Sequence, residues 1–187
     1  MVGLGKRFNG ADSIQIASLL GSPQVVTLSA WAQLDTVLPD EGVAGGAEIV
    51  SIGDGCLLRM DVTENDFGVA GSYHLTGATS FYHVYSGQKL VNAGWHHCAV
   101  VFDGKNHRQS LYIDGALSTV TAGVDSINYA GVGSNTLIGI HGNGKTMYNF
   151  VGVIDEVRIC STVLSEDRVK LEYMNQKAED ALVVFEE

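Results

Sequence analysis

The chain has 187 residues, 45% of them hydrophobic, and carries a formal net charge of -10, which suits one domain around a single core. That charge excludes a nucleic-acid partner, which needs a clustered basic face, and an anionic membrane surface. Neutral sugars, cations and other proteins stay open, and no stretch approaches the roughly 20 apolar residues of a membrane span.

Residues 1–10 lack the apolar segment of a secretion signal. They run straight into strand-like sequence, as expected of a domain cut from a longer protein. Short alternating runs separated by turn signals follow, the pattern of an all-β sandwich. The first clear strand is 25–34 (VVTLSAWAQL), rich in β-branched and aromatic residues. A Gly- and acid-rich loop, 35–46, leads to strands at 48–52 and 56–63, joined through Gly53-Asp54-Gly55 as a hairpin. Further strands are expected at 67–75, 80–85, 95–102 and 109–113, two of them closed by Asp103-Gly104 and Asp114-Gly115 turns. Runs at 135–140 and 149–160 complete the set.

One segment changes period. Ser165 is placed to cap a helix with Glu166 and Asp167 in its first turn. Val169, Leu171, Tyr173 and Met174 then recur at helical spacing, so a short helix is expected at 165–175. Residues 181–187 (ALVVFEE) again have strand character. Cys56, Cys98 and Cys160 each lie in an apolar run and read as buried thiols, while Trp31 and Trp95 are expected in the core.

A nucleotide-binding signature has to be rejected. Residues 139–146 (GIHGNGKT) fit G-x4-G-K-[ST], but a P-loop works only if a helix starts at Lys-Thr and aims its N–H groups at phosphate. Here the chain passes at once into a β run, which suggests a Gly-rich turn between antiparallel strands. Catalytic carboxylate pairs are also missing. Asp61, Glu64 and Asp66 lack the spacing that puts two carboxylates on one side of a strand, and the neighbours Asp155 and Glu156 should face opposite sides. Of His96 and His97, one ring should point inward as a hydrogen-bonded core residue. The chain therefore reads as a binder rather than an enzyme.

Phe8-Asn9-Gly10, VTLSAWAQL (26–34), GWHHCAVVFDG (94–104), LYIDGAL (111–117) and FVGVIDEVRICSTVLSEDRV (150–169) together resemble, in order and spacing, the laminin G-like family. The match is to its concanavalin A-like jelly-roll members of bacterial surface and secreted proteins, with a more distant likeness to pentraxins. The resemblance implies two packed antiparallel sheets, one concave, plus the short C-terminal helix. It further implies a non-catalytic, extracellular or cell-surface module inside a larger protein. Such a module binds a glycan or glycosylated surface, often with Ca2+ at one rim. Carried onto this sequence, the pentraxin-like calcium positions fall at Asp54, His141, Asn143 and Thr146, and only Asp54 is a carboxylate. Calcium takes six to eight oxygens, so a second set is Asn9 and Asp12 with Asp155, unless backbone N–H groups or Arg158 satisfy Asp155. For sugar contact the aromatic stretch Tyr73, Phe81, Tyr82, His83 and Tyr85 is one candidate. Alternation puts 81, 83 and 85 on one face and Tyr82 on the other. A rim formed by His141, Asn143 and Tyr148 is the second. The competing reading is a spacer or protein-interaction domain with no ligand site of its own.

Overall fold

A computed structural model describes residues 5–38, 46–62, 68–74, 81–122, 126–142 and 144–177. Its strands are β1 (Lys6–Asn9), β2 (Ile14–Ile16), β3 (Val25–Thr36), β4 (Ala47–Ile52), β5 (Cys56–Val62) and β6 (Gly68–His74). They continue as β7 (Phe81–Tyr85), β8 (His96–Asp103), β9 (Arg108–Ile113), β10 (Ala116–Ala122), β11 (Thr136–Ile138) and β12 (Val151–Cys160). One helix, α1 (Glu166–Gln176), follows. The strands form two six-stranded sheets, ordered β1-β12-β3-β8-β9-β10 and β2-β11-β4-β5-β6-β7. Neighbouring strands within each sheet pair antiparallel. This is a jelly-roll sandwich.

Alternation builds the core. Val26, Leu28, Ala30, Ala32 and Leu34 of β3 and Cys98, Val100 and Phe102 of β8 meet Leu58, Met60, Val69, Tyr73 and Val84 of the second sheet. Each buried aliphatic side chain of this kind contributes about 1.5–3 kcal/mol. The turns obey local rules: Ile52 pairs with Cys56 across Gly53-Asp54-Gly55, with the positive φ at Gly53 (52°). Asp114 and Gly115 take φ of 50° and 74°, the geometry of a tight hairpin turn. That hairpin leads into β10, a strand that the alternation pattern does not reveal. Its ALSTVTA is exposed on both sides at the sheet edge, so it carries no apolar alternation to read.

The outer face of the first sheet is covered by α1. Ser165 caps the helix by accepting from Arg168 N, and Val169 packs on Ala99, Val101 and Tyr112. Trp31 is buried, as expected, but under the helix rather than between the sheets, because its parity is opposite to that of Leu28 and Leu34. It stacks on Tyr173 at 5.5 Å, and its Nε1 donates to Gln176 Oε1 at 2.9 Å. Trp95 is only half-buried, just before β8. His97 also lies under the helix, against Trp31 and Tyr173, and its Nδ1 makes no hydrogen bond. The hydrogen-bonded ring of the pair is His96, whose Nδ1 is 2.8 Å from Asp114 Oδ2.

The P-loop look-alike is not a hairpin turn. Its flanking strands lie in different sheets, and the segment crosses between them through a single 3-10 turn, Thr146–Tyr148, with no side-chain cap. Cys56 and Cys98 are buried free thiols and Cys160 is half-buried. Glu64, Asp66 and residues 181–187 lie outside the described residues.

One core residue is out of place. Gln109 of β9 is 0% exposed, and neither its Nε2 nor its Oε1 has a hydrogen-bond partner. It lies beside Gly71, where an added Cβ would meet Gln109 Nε2 at 3.1 Å. A buried unpaired amide costs about 1–3 kcal/mol. Gln109→Met, close in volume, is therefore expected to raise the unfolding free energy by about that amount, read as a higher urea midpoint. An unchanged or lower midpoint would refute the reading.

Candidate functional site

The outer face of the second sheet carries a row of rings. β7 alternates so that Val84 enters the core while Phe81, His83 and Tyr85 point outward, joined by His74 of β6 opposite Phe81. From His74 through Phe81 and His83 to Tyr85 the ring centroids are 5.1, 6.1 and 5.4 Å apart, with planes within 20–25° of parallel. From 81 to 85 the row runs about 13 Å along the strand. Tyr73 and Tyr82 lie on the opposite face of the strand pair. Tyr73 is buried against Phe102, and Tyr82 stacks on it at the sheet edge, 43% exposed.

Beside the row β6 presents small side chains. Ala70 and Ser72 are both buried, and Ser72 Oγ lies 2.6 Å from His83 Nδ1. Beyond them Arg59 pairs across to Ala70, and Ala70 to Tyr85, so Arg59 and Tyr85 stand two strand spacings, about 10 Å, apart. The registers thus set side by side an aromatic wall on β7, buried small side chains on β6 and, on β5, Arg59 at 8% exposure, which together form the trough of this face. Partial burial, and then the charge of Arg59, push the His83 imidazole below its usual range.

Arg59 is held by a buried polar cluster. Its Nε and Nη2 both donate to Glu48 Oε2 at 3.0 Å, and its guanidinium sits 4.1 Å from the Tyr148 ring centroid. Glu48, 0% exposed, also faces His141 Nδ1 at 3.2 Å. Burial alone would raise the Glu48 carboxyl, but His141 and Arg59 outweigh it and hold it below the usual range. His141 bridges onward to Asp54 Oδ1, 3.3 Å from its Nε2. The rim residues His141 and Tyr148 are thus buried supports of Arg59, and Asn143 lies outside the described residues.

Sequence reading missed Glu48 and Arg59. The only signal was one acid and one base in the apolar strands of a single hairpin. A register counted from the turn would set Arg59 opposite Ile49, whereas a bulge between Glu48 and Val50 moves it opposite Glu48.

Among the described oxygen donors named for calcium, Asn9, Asp12 and Asp155 are not brought together. Asn9 Oδ1 accepts from Ala11 N and Asp12 N, and Asp12 faces Lys6 at 3.9 Å. Asn9 pairs with Val151, so Asp155 lies four residues further along β12, about 13 Å away. Asp54 is engaged by His141. Among the described residues no group of three or more His, Cys, Asp or Glu is placed to hold a metal ion. Asp155 Oδ1 accepts from Glu156 N, whereas Arg158 turns to Glu156 and Glu172. The expected opposition of Asp155 and Glu156 also fails. Glu156 sits in a bulge at φ 50° and accepts from Gln176 of α1, on the face that Asp155 shares with its strand partner Trp31.

Solved structures of the same fold include domain 4 of AbnA, a GH43 extracellular arabinanase from Geobacillus stearothermophilus, in complex with arabinotriose. It has 19% identity and a TM-score of 0.68 over 90% of this chain and 76% of that one. A heptameric SAP-like pentraxin from Limulus polyphemus has 14% identity and a TM-score of 0.63 over 88% and 78% of the two chains. The CBM40 of a Ruminococcus gnavus IT-sialidase, bound to alpha2,3 sialyllactose, has 16% identity and a TM-score of 0.63 over 87% and 96%. At these identities the likeness is one of fold. No curated protein matches. The sequence profile of one family spans residues 8–170, from the edge strand β1 into α1, and covers both sheets. The chain belongs to the concanavalin A-like lectin/glucanases superfamily.

Proposed function

We propose that this domain is a non-catalytic, lectin-like module that binds a glycan in the trough on the outer face of its second sheet. The observation that carries this reading is the row His74, Phe81, His83 and Tyr85 set across a small-residue floor from Arg59. Aromatic rings stack on sugar C–H faces, and planar polar groups nearby orient the hydroxyls. Two relatives in fold were solved with oligosaccharides bound, which supports the same class of ligand here. The non-catalytic half rests on the carboxylates. Glu48 is consumed by Arg59 and His141, and Glu156 faces the helix on the other sheet. An extracellular setting, within a longer protein, accords with this role.

The test is a glycan array, run with and without calcium, followed by titration of the best hit. Phe81→Ala is expected to weaken binding roughly tenfold, the value of one ring contact, while Tyr73→Phe, in the core, leaves it unchanged. Silence across the array, or full affinity in Phe81→Ala, would sink the proposal and leave a spacer domain.

A further inference from the structure

A groove of about 460 Å³ opens between the end of β12 and α1, on the opposite side of the sandwich from the aromatic row. β1 pairs with β12 only from Val151 to Ile154. Among the described residues the later part of β12 therefore has no strand on that flank, and the groove stays open. Its lining combines Arg158 and Ile159 of the strand with Arg168, Leu171, Glu172 and Asn175 of the helix.

The chemistry of this lining is specific. The Glu172 side chain is only 7% exposed. Its Oε1 accepts from Arg168 Nε at 3.2 Å, but its Oε2 accepts no hydrogen bond, and the nearest cationic nitrogen, Arg158 Nη1, stands 3.6 Å away. A nearly buried carboxylate oxygen with no donor is costly unless something donates to it. Both guanidinium groups keep donors to spare, since Arg168 spends only Nε on Glu172 and is 58% exposed, and a guanidinium carries five N–H groups. A bare anion would be repelled by Glu172, and a neutral polyol could accept from the guanidinium groups but would bring no charge to meet theirs. A ligand with one carboxylate beside hydroxyl groups answers both. The exposed Leu171 supplies apolar contact for a ring, and the Asn175 amide can bridge hydroxyls.

We infer that this groove is a second ligand site that takes an acidic sugar unit. Its carboxylate lies between Arg158 and Arg168, and a ring hydroxyl donates to Glu172 Oε2. The site is independent of the trough and stands or falls separately from it.

The test is an amide NMR titration of the whole chain with D-glucuronate, with glucose and acetate as controls. Saturable shifts are expected at 158–160 and 166–176 with glucuronate, with affinity roughly tenfold or more weaker for either control. Arg168→Ala, a change at an exposed position, should weaken glucuronate by a similar factor, whereas Phe81→Ala should leave it unchanged. Glu172→Gln should do the same as Arg168→Ala, with the spectrum elsewhere reporting that the fold is kept. No saturable shift in the groove, an equal response to acetate, or an undiminished response in Arg168→Ala would each overturn the proposal. A response abolished by Phe81→Ala would also overturn it, by assigning the sugar to the trough.

Discussion

Arg59→Met is expected to lower the unfolding free energy by about 3–5 kcal/mol, the usual result of stranding a buried charge. Glu48 is wholly buried and receives both of its Arg59 hydrogen bonds on one oxygen. Methionine keeps much of the stem volume but removes the charge, and with it the contact on the Tyr148 ring. His141, already shared with Asp54, would remain as the partner of Glu48. A drop of that size corresponds to a fall in Tm on the order of 10 °C for a domain of this length. The double variant Glu48→Leu with Arg59→Met should recover most of the loss, because a buried ion pair replaced by apolar groups is often close to neutral. If the single and double variants unfold at the same urea concentration, the charge account is wrong. Because Arg59 forms one wall of the trough, both variants should also weaken glycan binding, but the single variant should lose far more stability.

Acid should destabilise the domain through His97 before the carboxylates titrate. His97 is 1% exposed under the helix. Burial drives its imidazole down to about 4, with Asp114 acting in the opposite direction and Arg158 adding to the effect. The folded chain therefore resists a proton that the unfolded chain accepts near its ordinary value of about 6.5. Stability is complete above that value, falls as the pH drops from about 6.5 towards about 4, and levels off below. The total loss from this ring is about 3 kcal/mol, because each tenfold difference in proton affinity between the folded and unfolded chain is worth about 1.4 kcal/mol. Below about pH 4.5 the lowered carboxyl of Glu48 adds a further loss. His97→Phe, which keeps a ring between Trp31 and Tyr173, should flatten the profile between pH 6.5 and 4.5, leaving the smaller share of His83. Urea midpoints measured from pH 4 to 8 would show this. A parental profile already flat over that range would refute it.

Both effects depend on groups whose surroundings are set at long range, which marks the limit of reading from sequence. The hairpin at 53–55, the turn at Asp114-Gly115 and the Ser165 cap were legible because a few adjacent residues decide them. That Phe81, His83 and Tyr85 share one face followed from strict alternation along β7, but not that this face is the outer one. Trp31 and His97 occupy a layer that local pattern does not reveal, because alternation gives two faces without saying that a helix more than 60 residues away will cover one of them. Two bulges defeated simple counting: one between Glu48 and Val50 made the Glu48–Arg59 pair, and one after Asp155 turned Glu156 towards the helix.

By itself the sequence determined the acidic, all-β character of the chain, its local turns and helix cap, and the alternation that lines up the rings. These rest on hydrophobic period and backbone preference, which act within a few residues. Only the tertiary structure decided which rings face solvent and which are buried, how Arg59 is clamped beside the trough, and that a second groove opens beside α1. Those outcomes depend on register, bulges and sheet packing between residues distant in the chain, where no local rule applies.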